Sequence, residues 1–257
     1  MEEGLAYFWL IILFFIGLCI GSFLNVVIYR LPRGESIALD RSHCPVCGKT
    51  LAWYDLIPVF SYLLLLGKCR ACGAPISPRY LLVEFLSGLV TAVLFFYFGA
   101  TAVFVKYLFL CLLLMVVFFI DLEHYIIPNS LVIVGLIGGI VLNIAARDVG
   151  FISALIGMLV TSGFLLIVAL VSRGGIGGGD IKLAAVTGLF LGWPLGPLGL
   201  FLGILAAGIL AIFLLLLKKK GRKDPIPFGP FIVLGTIIAA FYGNQLINWY
   251  LINFIKI

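Results

Sequence analysis

Along the chain, long apolar runs alternate with short polar connections. Runs at 5–29, 80–98, 103–120, 126–145, 151–171, 181–195, 198–217 and 231–255 approach the roughly 20 residues that a helix needs to cross a bilayer. A membrane barrel would instead show segments of about 10 residues with alternating polarity. The pattern predicts an all-α integral membrane protein with about eight transmembrane helices. The sixth run is short, rich in glycine and closed by Pro194, so a tilted or half-inserted helix and a seven-span arrangement stay open. The first run lacks the basic front of a cleaved signal and is too long for one, so it reads as the first span.

Composition sharpens this reading. Apolar residues make up 63% of the 257 positions and charged residues 11%, against about 45–50% and about 25% in soluble domains. There is too little polar surface to clothe a water-soluble core. The net charge of +6 would fit nucleic acid, but its distribution fits topology better. With the N-terminus and its Glu2 and Glu3 outside, 14 of the 17 Lys and Arg fall on the inner side, leaving Lys106, Arg147 and Lys256 outside. Cationic segments are retained on the cytoplasmic side of a membrane. The partner this charge implies is therefore the lipid bilayer, not nucleic acid, and the basic run Lys218 to Lys223 reads as an anchor at the lipid surface. Three regions follow: a first transmembrane helix at 1–29, a cytoplasmic loop at 30–79 and a transmembrane helical bundle at 80–257.

The loop carries Cys44-Pro-Val-Cys47-Gly and Cys69-Arg-Ala-Cys72-Gly, two knuckles separated by 21 residues. That spacing suits a four-thiolate zinc site, and the glycine after each pair permits the turn that aims backbone N–H groups at the sulfurs. Two disulfides are the alternative, disfavoured where the charge pattern places the thiols in a reducing compartment. With Cys44, Cys47, Cys69 and Cys72 filling a tetrahedron, Zn2+ would be structural and would supply folding free energy to a small loop.

Ionisable groups at span ends are costly and therefore candidates for function. Asp121 closes the third run and Asp180 opens the sixth, and the topology puts both at the cytoplasmic boundary. A carboxylate that takes a proton from water, beside a carboxylic acid that hydrogen-bonds a scissile carbonyl, forms a hydrolytic pair without metal or covalent nucleophile. Gly177, Gly178 and Gly179 remove side chains ahead of Asp180 and would let an extended peptide approach. By the dipoles of their own helices, Asp180 is expected to be the ionised base and Asp121 the proton holder. Lys182 is expected to support the charge of Asp180, and Asn25 to bond another helix. Glu84, near the start of the second run, is a candidate contact for a substrate leader. The rival class is a proton- or cation-coupled transporter, which also uses intramembrane acids and glycine-broken helices. Transport sites tend to lie at midplane between repeated halves, whereas these acids share one face and no repeat is visible.

The run Gly177-Gly178-Gly179-Asp180 resembles the GxGD signature of membrane aspartyl proteases. The chain as a whole resembles bacterial type IV prepilin peptidases, through Gly21-Ser22-Phe23-Leu24-Asn25-Val26, Arg30-Leu31-Pro32, both cysteine knuckles, Pro78-Arg79-Tyr80, Val83-Glu84, the stretch Asp121 to Asn129, Asp180 with Lys182, and Pro227-Phe228-Gly229-Pro230. The resemblance implies a bacterial inner-membrane enzyme that cuts the basic leader from prepilin and pseudopilin precursors after a glycine, on the cytoplasmic side, with Asp121 and Asp180 as the catalytic pair. In many members it also implies methylation of the new N-terminus by S-adenosylmethionine.

Overall fold

A computed structural model of the chain describes residues 2–38, 41–172, 175–217 and 226–255. Arg173, Gly174, the basic run Lys218 to Lys223 and Lys256, all used in the sequence reading, lie outside the described residues. The described helices are α1 (Glu2–Arg30), α2 (Phe60–Leu64), α3 (Pro78–Phe98), α4 (Ala102–His124), α5 (Asn129–Ala146), α6 (Phe151–Val171), α7 (Gly178–Leu191), α8 (Leu195–Leu216) and α9 (Gly229–Tyr250). Seven of them, all but α2 and α7, are long and apolar enough to cross a membrane. With 14 residues, α7 is about 21 Å long, short of the ~30 Å hydrocarbon core. The sixth predicted span is thus a real helix but not one of spanning length.

By internal contacts the chain forms two compact units that divide within α4, one extending to Val116 and the other beginning at Val117. In the first unit α1 packs against α3, and small residues set the distance. A Cβ on Gly17 would lie 2.7 Å from the Gly88 Cα, and one on Gly21 would lie 2.6 Å from the Glu84 Cα. Glycines at this spacing let two membrane helices approach where lipid supplies no hydrophobic drive between them. Asn25 makes the interhelical bond expected of it: its Nδ2 donates to the Tyr80 carbonyl oxygen at 3.0 Å. At the foot of α1 the buried Arg30 donates to the carbonyl oxygens of Ser36 at 3.0 Å and Arg41 at 3.1 Å. This pins the chain as it leaves the helix.

In the second unit α7 is the central element, packed by α5, α6, α8 and α9. Leu183, Ala184 and every residue from Val186 to Leu191 are buried. A helix apolar on all sides is one that other helices surround. Gly157 of α6 and Gly188 of α7 bring their backbones together; a Cβ on Gly157 would stand 2.5 Å from the Gly188 carbonyl oxygen. Asn143 of α5 donates to the Leu189 carbonyl oxygen at 2.8 Å, and the Trp193 N–H reaches the Ser153 carbonyl oxygen at 3.0 Å. Gly199 and Gly203 of α8 face Gly235 of α9 in the same manner. Outward faces are aliphatic, with Ile137, Ile144, Ile167 and Ile209 exposed, as lipid contact requires.

These contacts leave no room for a side chain at Gly188. Gly188→Leu is expected to destabilise the protein by about 1–3 kcal/mol, read as a lowered midpoint of thermal unfolding in detergent. The same change at Gly208, whose Cβ would meet nothing within 4 Å, should leave the midpoint near its starting value.

Candidate active site and cysteine clip

Asp121 lies in the last turn of α4 and is 5% exposed. The helix ends at Tyr125, whose φ of 57° is left-handed and whose N–H closes onto the Asp121 carbonyl oxygen at 2.9 Å. The chain then crosses to α5 through Ile126, Ile127 and Pro128. Asp180 stands in the first turn of α7, with Gly177 at the N-cap. Two contacts join the α4–α5 connection to the start of α7. A Cβ on Gly179 would lie 3.1 Å from the Ile127 Cβ, and Lys182 Nζ donates to Asn129 Oδ1 at 2.8 Å. Lys182 is therefore engaged by Asn129, a different role from the one expected for it beside Asp180.

The same packing leaves Asp121 and Asp180 near enough for the charge of Asp121 to act on Asp180. Each carboxyl takes a backbone N–H. Gly229 opens α9 and donates its N–H to Asp121 Oδ2 at 2.9 Å. The Gly177 N–H serves Asp180, the arrangement in which the third residue of a helix reaches back to its N-cap. Burial and the like charge of Asp121 lift the Asp180 carboxyl to about 6, against the opposing effect of Gly177.

This geometry adds a contact that bears on the expected proton assignment. Asp121 does sit at the C-terminal end of its own helix, but it also faces the N-terminal end of α9, whose N–H favours a carboxylate. The sequence reading weighed only each residue's own helix. It also passed over Gly229, although it had singled out the Pro227-Phe228-Gly229-Pro230 stretch. A Cβ at Gly229 would lie 2.6 Å from Asp121 Oδ2, so only glycine lets the helix start come this close. The signal was a glycine placed directly before the proline that begins a helix.

The glycine run is partly extended and partly helical. Gly177 is extended, with φ −67° and ψ 140°, while Gly178 and Gly179 already belong to the first turn of α7. What the run presents is the set of first-turn N–H groups that have no acceptor in their own helix, with open space beside Gly178.

In the first unit, Glu84 is buried and its Oε2 accepts the Val59 N–H at 2.7 Å, with Ser22 bonding the same side chain. The residue weighed as a leader contact is thus occupied by its own chain. The four cysteines converge, their Sγ atoms all within 4.8 Å of one another, and Cys44 and Cys72 are 3.9 Å apart. A tetrahedral site with metal–sulfur bonds of about 2.3 Å has sulfur–sulfur edges of about 3.8 Å, so the cluster could hold a metal ion. The knuckles repeat each other. Cys44 N–H bonds Lys49 and Gly48 N–H bonds Cys44, just as Cys69 N–H bonds Ala74 and Gly73 N–H bonds Cys69. Gly48 and Gly73 have φ values of 69° and 71°. N–H groups of Cys72 and Ala71 lower the Cys69 thiol to about 7. The Ala74 N–H favours a Cys72 thiolate, yet desolvation and the other three sulfurs hold that thiol up to about 11. Four crowded thiols do not all ionise without a cation among them.

Seven membrane-length helices and a four-cysteine cluster mark a polytopic membrane protein that could hold a metal ion. Residues 15–98 match the bacterial peptidase A24 N-terminal domain, and residues 108–212 match the type IV leader peptidase family. The chain is 33% identical to a prepilin leader peptidase/N-methyltransferase of Aeromonas hydrophila over 99% of its own length and 98% of that protein's. It is 43% identical to one of Myxococcus xanthus over 84% of its own length and 65% of that protein's. With one of Bacillus subtilis it shares 33% identity over 93% and 97%. No solved structure matches the chain. The chain belongs to the type IV leader peptidase family.

The Gly229 contact is directly testable. Gly229→Ala should cost about 1–3 kcal/mol of stability and shift the infrared carboxylate band assigned through Asp121→Asn. Gly208→Ala should change neither.

Proposed function

We propose that the chain is a membrane aspartyl endopeptidase that removes the short basic leader of prepilin and pseudopilin precursors, cutting after a glycine on the cytoplasmic side. Asp121 and Asp180 are its catalytic pair. What supports this reading is that Asp121 lies near enough to act electrostatically on Asp180, each carboxyl taking a backbone N–H, in a chain of the leader peptidase family. A water between the carboxyls gives its proton to Asp121 while its oxygen attacks the scissile carbonyl carbon. Asp180 gives its proton to the carbonyl oxygen. Asp121 then protonates the leaving amine as the C–N bond breaks, while a hydroxyl of the tetrahedral intermediate returns its proton to Asp180, so the pair regains its starting charge. First-turn N–H groups of Gly178 and Gly179, with Gly177 extended before them, are placed to bind the substrate backbone next to Asp180. The transporter reading loses its ground, because the family and the relatives named above are peptidases.

Several finer assignments belong to the same proposal. The enzyme lies in the bacterial inner membrane with its N-terminus outside, and the cysteine loop and the aspartates face the cytoplasm, as the 14 inner cations suggest. Residues 1–29 anchor, 30–79 form the metal-bearing loop and 80–257 carry the catalytic bundle. Zn2+ fits the four sulfurs and would clamp the loop; with four thiolates it keeps no open position for a water. The relatives' names include an N-methyltransferase, whose methyl donor would be S-adenosylmethionine. Among the described residues there is no strand feeding a glycine-rich turn and helix to cradle a nucleotide. No methyl-transfer step is assigned to them.

Incubating purified protein in detergent with a prepilin tests the pair: Asp121→Asn and Asp180→Asn should each abolish cleavage, and a substrate cut at the normal rate by either variant refutes the mechanism. The pH profile tests the assignment. Asp180 must hold a proton, and its raised value means that the proton is lost as pH climbs through about 6, so kcat/KM should decline above that point. For the metal, elemental analysis should find about one zinc per chain, with the four thiols slow to alkylate until a chelator is added.

A further inference from the structure

Residues 51–66, which join the two knuckles, are too apolar for a segment surrounded by water. Across Leu51-Ala-Trp-Tyr-Asp-Leu-Ile-Pro-Val-Phe-Ser-Tyr-Leu-Leu-Leu-Leu66 the only charge is Asp55, and Arg70 neutralises it at 2.8 Å.

Their position along α1 and α3 is unusual. The two helices run antiparallel, with Asn25 beside Tyr80, Gly21 beside Glu84 and Gly17 beside Gly88. At 1.5 Å per residue, Glu84 lies about 7 Å along α3 from Arg79, and Phe15 lies about 22 Å along α1 from Arg30. The connection reaches both depths. Its Val59 N–H bonds Glu84 Oε2 at 2.7 Å, and the Phe60 ring stacks on Phe15 with centroids 6.4 Å apart and planes 15° from parallel. It then returns through α2 to Gly67, whose carbonyl oxygen accepts the Ile76 N–H at 2.7 Å, just ahead of Pro78. The chain therefore turns inside the length of two membrane-spanning helices, not beyond their ends.

We propose that Ile57–Leu66 is a re-entrant wedge in the bilayer, with lipid acyl chains covering Ile57, Phe60, Leu63, Leu64 and Leu66. Leu64 and Leu66 are 82% and 83% exposed, and this surface continues the lipid-facing flank of α1 at Phe15 and Phe23, which are also exposed. Irregular backbone survives at membrane depth only where its polar groups are satisfied. Here they are. Val59, at φ 66° and ψ −53°, makes a γ-turn closed by the Phe60 N–H on the Pro58 carbonyl oxygen at 2.7 Å. Its own N–H, facing outward from the turn, goes to Glu84. Ser61, Leu63 and Leu65 donate to Ile57, Val59 and Ser61. Trp53 and Tyr54, both exposed, stand before the wedge, where aromatic side chains favour the membrane–water interface.

The unmodified full-length protein in phosphatidylcholine/phosphatidylglycerol vesicles provides the test, with an apolar diazirine dissolved in the acyl region and a charged diazirine in the water phase of a parallel sample. After photolysis and peptide mass spectrometry, the apolar carbene should label Phe60–Leu66 as densely as Phe23 and Ile137, and several-fold above Val46, which is 70% exposed in the first knuckle. The charged carbene should show the opposite ranking. Labelling of Phe60–Leu66 from water, or no labelling by either probe while Ile137 is labelled from lipid, overturns the proposal; the second result would mean that protein covers the wedge. Neither readout depends on peptidase activity.

Discussion

A carboxyl group held among packed helices needs a donor, and in this chain three such carboxyls each take a backbone N–H. Glu84 takes the N–H of Val59, Asp121 that of Gly229, and Asp180 that of Gly177. An isolated buried charge is costly, and hydrogen bonds to the charged form are among the few ways to offset that cost. Two of the three donors are glycines at helix starts, where N–H groups lack partners in their own helix. The acids and the helix termini thus satisfy one another, and the positions of α7 and α9 are tied to the groups whose chemistry they set.

Close approach is the second requirement, and glycine meets it repeatedly. Gly17, Gly21 and Gly88 seat α1 on α3; Gly157 and Gly188 seat α6 on α7; Gly199, Gly203 and Gly235 seat α8 on α9. In lipid these contacts replace the hydrophobic drive that would collapse a water-soluble core. Gly229 and Gly179 extend the device from packing to chemistry, one admitting the Asp121 carboxylate and the other admitting Ile127.

Much of this was legible in the order of residues. Helix positions followed from apolar run length, since lipid imposes one length rule on every span, and the knuckles announced their clustering by spacing alone. The two aspartates could be chosen because few ionisable groups occupy span ends. What could not be read were relations between elements distant in the chain. No local pattern says that the N-terminus of α9 points at a residue 108 positions earlier. Nor does Lys182, two residues after Asp180, advertise that it reaches Asn129. The shortness of α7 was visible, but its enclosure by four neighbours was not.

That enclosure bears on how the molecule is made. A 14-residue helix with no lipid-facing stripe gains little by leaving the insertion machinery alone, because it cannot reach across the bilayer. Its full enclosure needs α8 and α9, which follow it in the chain. Asp180 rides at its leading end, and Gly229, the donor to Asp121, arrives with the last helix of all. A nascent chain interrupted before α9 would carry both acids without the N–H that bonds Asp121.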